Sequence, residues 1–427
     1  ARAQTASDYT SLSLEDLLTV EITSVAKKRQ RVSDAAAAVT VISQEDIRRS
    51  GATTLTEALR TVPGLEVAQI DASSTALTVR GFNTRFANTL LVMVDGRSVY
   101  VSPLSGVLWD QQMIPLSDVE RIEVVRGPGA TLWGSNAVNG VINIITKHSI
   151  DTLGLAAQAT VGTEELSGTL RYGTRLGESS SMRAYITASD RGSLETVDGE
   201  RYNDGWRGVQ AGFRLDSEPN DRDAFTLQGD IQTGDFEYTQ TRLIVTPGGA
   251  NSILETFDGD FEGANILGRW SRRVSESLDW NVQLYFDHVK RRDLEFTLSR
   301  DLLDIDGTLR WQTSPRNELV IGFNARAAWD EAAGTGNFVS DIDPSNNDQW
   351  ISAFVQDDLW LIEDALRLSL GSKFEYNTIS GTAIQPSGRL LWHASEALTF
   401  WGANLIDRGH NGDAAAEGLV SLLTPVI

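Results

Sequence analysis

The sequence lacks several features that common protein classes require. It has no cysteine among its 427 residues, so disulfides and thiolate metal sites are excluded. It also has no run of about 18 apolar residues, which excludes a helical membrane span. Basic residues number 37 against 58 acidic ones, and nucleic-acid binders present basic surfaces, so we expect no nucleic-acid partner. The four histidines are scattered, and no nucleophile–base pair stands out, so we expect no enzyme, metal site or cofactor.

The N-terminus lacks the apolar core of a signal peptide. The opening Ala1-Arg2-Ala3-Gln4 is either the small-residue remnant of a cleavage site or an arbitrary starting point.

Residues 1–150 have the pattern of a compact α+β unit. Ser43 is positioned to cap a short helix that Gly51 ends, and Thr54 has capping-box spacing to Glu57. The Asp95-Gly96 pair predicts a tight hairpin turn. Strands are predicted at 65–70, 76–80, 89–94, 120–126 and 140–146.

From residue 151 onward the pattern changes to a period of two. In 278–287 and 319–330, apolar residues occupy one face of a strand and polar residues the other. The same pattern recurs at 209–216, 225–232 and 366–375. Lipid outside and a wet lumen inside would produce such two-faced strands of about ten residues. A soluble antiparallel sandwich also alternates, so periodicity alone leaves both folds open.

Connection lengths favour a transmembrane barrel, in which short turns and long loops occupy opposite ends. Short polar links are predicted at 177–181, 218–223, 275–277, 314–316, 362–365 and 395–397. Longer loops are predicted between them, at 191–205, 237–260, 291–301, 331–348 and 377–385. Tryptophans near strand ends are expected to form interfacial girdles; they are Trp206, Trp270, Trp280, Trp311, Trp329, Trp350, Trp360, Trp392 and Trp401.

The first half carries motifs that resemble the plug domain of TonB-dependent receptors. They are Val79-Arg80-Gly81-Phe82, Val94-Asp95-Gly96-Arg97, Ile122-Glu123-Val124-Val125-Arg126-Gly127-Pro128 and the run from Gly134 to Thr146. The resemblance covers roughly residues 17–147 and implies that the first half folds inside the lumen of the second. The implied fold is mainly β, an antiparallel transmembrane β-barrel preceded by a small α+β plug domain. We expect an N-terminal periplasmic segment at 1–30, the plug at 31–147, the barrel at 151–404 and an atypical tail at 405–427.

The resemblance also implies a function, a location and partners. Such proteins lie in the bacterial outer membrane, in contact with its lipid, and import a scarce large solute with energy from the TonB protein. A ferric siderophore is the solute we expect, with cobalamin or another metal complex, or a non-functional truncated receptor, as alternatives. A β-prone stretch resembles the TonB box, which would engage TonB by strand addition; it is Thr19, Val20, Glu21, Ile22, Thr23, Ser24 and Val25. The same stretch could instead be the first strand of the plug.

The resemblance places substrate at the apical loops of the plug. The residues we expect to contact it are Asn83, Arg85, Phe86, Tyr100, Trp109 and Asp110. Arg85 could pair with an anionic chelate, and the aromatic rings could stack on planar groups. The alternative is that these residues only pack the plug against the barrel. Arg80 and Arg126 are expected to form ion pairs with acidic residues of the barrel lumen, because buried charges need partners.

The number of strands predicts an incomplete barrel. Residues 151–404 hold about 12–13 strand segments, whereas the plugged transporters that the chain resembles have 22 strands. Alternation stops after Ala403. We therefore expect a half-open barrel around an intact plug. A truncated gene, a frameshift or a partial sequence would each account for it.

Overall fold

A computed structural model provides the fold. It describes residues 21–22, 24, 30–31, 34–79, 81, 83–87, 90–127, 137, 139–195, 199, 201–246, 249–294, 296–334, 345–379, 381–395, 398–408 and 415–418. Within these ranges no helix is long and apolar enough to cross a membrane.

Two short helices lie where their capping residues predict them. Helix α1 spans Gln44–Ser50 and helix α2 spans Leu55–Leu59. Ser43 and Asp46 form a reciprocal capping box at the start of α1. Gly51 ends that helix in the left-handed conformation, with φ of 73°, which glycine adopts without steric cost. The Thr54 side chain caps α2 by accepting from the backbone N–H of Glu57.

The N-terminal unit is built on a five-stranded sheet in the order β3-β10-β11-β6-β7. Its strands are β1 Glu21–Ile22, β2 Gln30–Arg31, β3 Ala38–Ser43, β4 Leu65–Gln69, β5 Thr75–Val79, β6 Leu90–Val94, β7 Arg97–Ser98, β8 Tyr100–Val101, β9 Gly106–Val107, β10 Val119–Arg126 and β11 Gly140–Thr146. Single 3-10 turns occupy Ser102–Leu104, Trp109–Gln111, Leu116–Asp118 and Ser149–Thr152. The predicted Asp95-Gly96 hairpin joins β6 to β7, with positive φ at both residues.

The core of this unit lies between the sheet and the two helices. Strands β10 and β11 contribute fully buried side chains such as Ile122, Val124, Ile142 and Ile144. Ile47 of α1 and Leu59 of α2 pack against the same cluster. The unit therefore has an apolar core of its own.

A second, antiparallel sheet of fourteen strands follows in simple sequence order. Its strands are β12 Gly154–Val161, β13 Glu165–Arg175, β14 Ser180–Arg191, β15 Trp206–Ser217, β16 Asp223–Thr246, β17 Gly249–Arg273, β18 Leu278–Arg292, β19 Phe296–Ser314, β20 Asn317–Gly334, β21 Ser345–Ile362, β22 Leu366–Asn377, β23 Gly381–Ser395, β24 Leu398–Arg408 and β25 Ala415–Gly418. The fourteenth strand, β25, has only four residues. The predicted mainly β architecture is confirmed.

The large sheet has an apolar outer face and a polar inner face, as the period of two predicts. In β18, the outward side chains of Leu284 and Phe286 are exposed, whereas Gln283 and Tyr285 are buried on the inner face.

The tryptophans also divide between the outer and inner faces of the sheet. Trp270, Trp311, Trp329 and Trp392 are exposed outward, but Trp206 and Trp401 are buried, so the prediction that they all lie in girdles is wrong for those two.

Several predicted loops are shorter than expected. The segment 237–260 is not a loop, because β16 and β17 continue through it and pair from Asp223–Arg272 to Thr246–Gly249. Connection lengths assigned it to a loop, but main-chain pairing between β16 and β17 continues through it. The end of the sheet at which β14 ends and β15 begins, and at which β20 ends and β21 begins, is called the loop end below. Connections 176–179, 218–222 and 363–365 lie at the other, the turn end.

The large sheet curves around the N-terminal unit. Asp118 of that unit contacts β13, and Asp34 contacts β22 and β23, at nearly opposite positions in the sheet order. Among the described strands, β12 and β25 each pair with a single neighbour, so the sheet does not close on itself. The tail differs from the prediction in one respect: β24 extends to Arg408 and pairs with β25. The rest of the predicted tail, 409–414 and 419–427, lies outside the described residues.

The outer face provides a test of contact with lipid. Leu284 lies midway along β18 with 48% of its surface exposed. We expect Leu284→Lys to lower the free energy of unfolding in lipid vesicles by about 2–4 kcal/mol, because an ammonium group near the bilayer midplane loses its hydration. Leu284→Met, which stays apolar, should leave the urea midpoint unchanged. Equal midpoints for the two variants would contradict a lipid-facing surface.

Candidate functional site

The contact between the N-terminal unit and the inner face of the large sheet is rich in buried charge. At its turn end lies the Asp118 cluster, formed by Asp118, Arg171 and Arg183. Asp118 ends a 3-10 turn immediately before β10. Its carboxylate accepts a short hydrogen bond from Arg171 of β13 and lies 3.4 Å from Nε of Arg183 of β14. Arg183 also donates to the backbone carbonyl of Lys147. One carboxylate thus holds two strands of the large sheet.

A second group surrounds the hairpin turn at Asp95. The backbone N–H and hydroxyl of Thr146 donate to the Asp95 carboxylate at 2.9 and 2.8 Å, and Gln228 of β16 donates at 3.0 Å. Arg214 of β15 lies 3.6 Å away, and Arg269 of β17 donates to the Asp95 carbonyl. Burial alone would raise the pKa of the Asp95 carboxyl, but the guanidinium groups of Arg214 and Arg269 hold that pKa below its usual value. Asp95 therefore anchors the turn through an ionised carboxylate.

The next residues of the hairpin continue the pattern towards the loop end. Arg97 of β7 pairs with Asp287 of β18 at 2.9 Å, and both side chains are largely buried. Above them lies the apical cluster, formed by Arg85, Asp110, Arg291 and Asp293. Asp293 accepts from Arg85 at 2.8 Å and from Arg291 at 3.1 Å, and Arg291 also pairs with Asp110 at 2.5 Å. Charges alternate in sign along this chain of contacts.

Two members of the predicted substrate-contact set belong to the apical cluster. Arg85 and Asp110 each have a charged partner on the large sheet, so in this structure they hold the N-terminal unit in place. The Arg85 guanidinium also lies 5.2 Å from the ring of Phe86 and 5.6 Å from that of Tyr238. The guanidinium of Arg291, only 1% exposed, lies 4.1 Å from the Phe236 ring.

The other predicted contact residues are spread over the apical surface. Phe86 packs closely on Gly106, where any Cβ atom would lie 2.8 Å from its backbone, so that position requires glycine. Tyr100 is buried at the start of β8. Trp109 is half-buried against the core of the N-terminal unit. Asn83 donates weakly to the Ala76 carbonyl at 3.5 Å. Their contact with substrate stays a prediction.

Of the predicted ion pairs of Arg80 and Arg126, only that of Arg126 involves a described residue. Arg80 lies outside the described residues. Arg126 instead donates to the Pro63 carbonyl at 2.8 Å and to the Thr40 hydroxyl at 3.4 Å, both within the N-terminal unit. The pairing of this unit with the sheet is real, and it includes Arg85 and Asp110, for which packing against the barrel was the alternative prediction, rather than Arg126. Many of the arginines in these pairs lie on the large sheet, and the carboxylates of Asp95, Asp110 and Asp118 belong to the N-terminal unit.

The stretch that resembles a TonB box is partly described, and Thr19, Val20, Thr23 and Val25 lie outside the described residues. Glu21–Ile22 pairs antiparallel with Gln30–Arg31. The Ile22 side chain is completely buried against β6, β10 and β11. Ser24 donates from its N–H at 2.9 Å and from its hydroxyl at 2.5 Å to the buried carboxylate of Glu123. The alternative prediction, a strand packed on the plug, describes this arrangement.

The Asp118 cluster generates a test of how the two parts are held together. We expect Asp118→Asn to destabilise docking of the N-terminal unit by about 3–5 kcal/mol, because two largely buried guanidinium groups lose their counter-charge. Weaker docking is measured as faster hydrogen exchange of the backbone amides of β10 and β11. Asp235→Asn is the matched control, since its pair with Arg207 is exposed to solvent on both sides. Unchanged protection in Asp118→Asn would contradict the assigned role.

Comparison with known proteins adds to this geometry. The sequence profile of the TonB-dependent receptor plug domain matches residues 31–141. The chain is 26% identical over 393 residues to the iron-regulated outer membrane virulence protein of Vibrio cholerae, covering 87% of this chain and 57% of that protein. It is 29% identical over 340 residues to the vitamin B12 transporter BtuB of Vibrio cholerae, covering 78% and 47% respectively. The chain thus spans about half the length of these relatives.

Solved structures share the fold. The ferripyoverdine receptor of the outer membrane of Pseudomonas aeruginosa superposes with a TM-score of 0.70 at 15% identity, over 90% of this chain and 59% of that one. The ferric enterobactin receptor PfeA of Pseudomonas aeruginosa gives 0.68 at 17% identity, over 87% and 62%. The chain therefore carries the plug domain of TonB-dependent receptors, and as a whole it is similar in sequence to outer-membrane proteins and in fold to solved outer-membrane receptors.

Proposed function

We propose that this protein is an outer-membrane receptor that binds a scarce large solute at its loop end and imports it with energy from TonB. A ferric siderophore is the favoured solute. The observation that carries the proposal is the set of buried ion pairs between plug and barrel sheet, from Asp118 at one end to Arg85 at the other. A lumen filled in this way admits a large solute only after the plug moves.

Moving the plug requires work from outside the barrel. A buried ion pair is held by a strong attraction, because the surrounding medium has a low dielectric constant. Leaving one partner buried without the other costs about 3–5 kcal/mol. The outer membrane has no ATP to supply this energy. A mechanical link from residues 19–25 to TonB is therefore the mechanism we infer, with strand addition as the mode of contact.

The docked N-terminal segment adds a condition to this mechanism. The main chain of Glu21–Ile22 already pairs with Gln30–Arg31, and Ser24 already donates to Glu123. Strand addition needs free N–H and C=O groups on one edge of the segment. TonB would thus bind the segment after it leaves the plug surface.

The aromatic and cationic side chains near the loop end favour an anionic solute with planar groups. Guanidinium groups lie over the rings of Phe86, Trp206 and Phe257 at 5.0–5.6 Å. The guanidinium groups of Arg85 and Arg292 are already paired with Asp293 and Asp260, so within this set it is Arg191, beside Trp206, that attracts an anion, while the rings attract planar groups. Ferric chelates with anionic aromatic ligands combine both properties.

Cobalamin is the second candidate, and the relatives named as vitamin B12 transporters favour it. One of them, from Vibrio vulnificus, is 36% identical over 137 residues, covering 32% of this chain. Calorimetric titration of the full-length receptor against a panel of ferric chelates and cobalamin distinguishes the two candidates. Saturable binding of a ferric chelate supports the first, and binding of cobalamin alone would replace it with the second.

Deleting residues 18–25 from the full-length receptor separates binding from import. We expect the bound solute to keep its affinity, because the described residues of the segment contact Glu123 and side chains of β6, β10 and β11 rather than the apical cluster. Uptake of the labelled solute by cells should fall to background, because no strand remains for TonB to pair with.

Ser24→Ala is the control, since it removes the hydroxyl that binds Glu123 but keeps the main chain that strand addition uses. Uptake should persist in this variant. Normal uptake in the deletion strain would contradict the role given to the segment.

A further inference from the structure

A cavity of about 110 Å³ lies between the plug and strands β12–β15 of the barrel sheet. Its wall on the plug side includes Thr53, Trp109 and Asp110, and its wall on the sheet side includes Ser189, Arg191 and Trp206. A single water needs about 10–15 Å³ of such volume, so the cavity has room for a polar group considerably larger than one water.

The sheet-side wall is organised by strand register. Glu165 of β13 pairs with Arg191 of β14, which pairs with Trp206 of β15. Directly paired residues project from the same face of a sheet, so the three side chains form a row that faces the plug. The Arg191 guanidinium lies 5.0 Å from the centre of the Trp206 ring, which itself stacks on Phe261 at 6.1 Å. Stacking fixes the plane of the guanidinium.

The polar groups in this wall that lack a hydrogen-bond partner among the described residues include strong donors. The indole N–H of Trp206, a side chain only 3% exposed, has no hydrogen-bond partner among the described residues. The hydroxyl of Ser189 is also buried and without a partner there. Within the described part of the chain, Arg191 forms no ion pair or side-chain hydrogen bond. Indole and guanidinium groups can only donate, so the group that would satisfy them is an acceptor.

The carboxylates near this wall are engaged elsewhere. Glu165 accepts from the Thr53 hydroxyl at 2.7 Å, and Asp110 pairs with Arg291 at 2.5 Å. Neither forms an ion pair with Arg191. A stacked guanidinium with free N–H groups binds a carboxylate or similar oxyanion by two parallel hydrogen bonds, which are stronger than neutral ones.

We propose that Arg191, Trp206 and Ser189 form a subsite that accepts a carboxylate or comparable oxyanion of a solute between the plug and strands β14 and β15. This deepens the proposed function, because the subsite gives an anionic solute a place to bind near the apical cluster, whose own charges pair with one another. It is tested with small anions alone, so its failure is distinguishable from failure of the import proposal.

These 427 residues contain no cysteine, so a thiol introduced here has no competing thiol among them. In a Ser189→Cys variant of the full-length receptor, we would measure reaction rates with an anionic and a cationic methanethiosulfonate reagent. Arg191 should favour the anionic reagent, and adding Arg191→Gln should lower the ratio of anionic to cationic rates by about tenfold, as expected for loss of one nearby charge. Ser277→Cys, in a turn at the opposite end of the sheet, should keep its ratio when Arg191 is changed.

Protection by citrate tests binding directly. Citrate should slow modification of the thiol introduced by Ser189→Cys when Arg191 is present and have no effect once Arg191→Gln is added. Trp206→Phe keeps a ring beneath the guanidinium but removes the indole N–H, and should weaken citrate protection by about tenfold.

Three outcomes would overturn the subsite. They are equal citrate protection with and without Arg191, a ratio of anionic to cationic rates no higher than that at Ser277→Cys while Arg191 is present, and no reaction of the introduced thiol with either reagent. The last would mean that solutes do not reach the cavity. An unchanged rate ratio at Ser277→Cys in the Arg191→Gln background shows that the effect of Arg191 is confined to the cavity.

Discussion

The buried ion pairs between plug and barrel sheet are the interaction on which the rest of the structure depends. In the Arg97–Asp287 pair and the Asp118 cluster, each charge is stable only while its partner is in place. An apolar interface would expose its surface to water on separation, whereas charged groups regain hydration. Charge pairs therefore give the plug a defined position, and in the proposed function they are the contacts that must separate when it moves.

Local sequence signals predicted much of this fold. Ser43 and Gly51 bound a helix as their chemistry requires, and Asp95-Gly96 forms the expected turn. The period of two in 278–287 identified which side chains face outward, because alternation is a property of the strand itself. The segment 237–260 was mispredicted, since its pairing depends on the neighbouring strand rather than on its own composition.

The candidate site depends on contacts between residues that are far apart in the sequence, which local sequence patterns do not predict. Arg85 was expected to be available to a solute, but its partner Asp293 lies 208 residues away in the sequence. The register of the intervening strands decides that contact. Arg291 and Asp293, spaced by two, were the available signal of an inward-facing charged row at the end of β18. The kind of plug–barrel pairing was thus predictable, and its members were not.

Tethering the plug tests most directly whether it must move. Thr53 of the plug hydrogen-bonds Glu165 of β13 at 2.7 Å, so cysteines at these two positions can be joined by a short, reducible cross-linker. The cross-linked full-length receptor is predicted to import no solute and to recover import after reduction, while each single-cysteine variant imports throughout. Import at the normal rate with the cross-link intact would contradict the account.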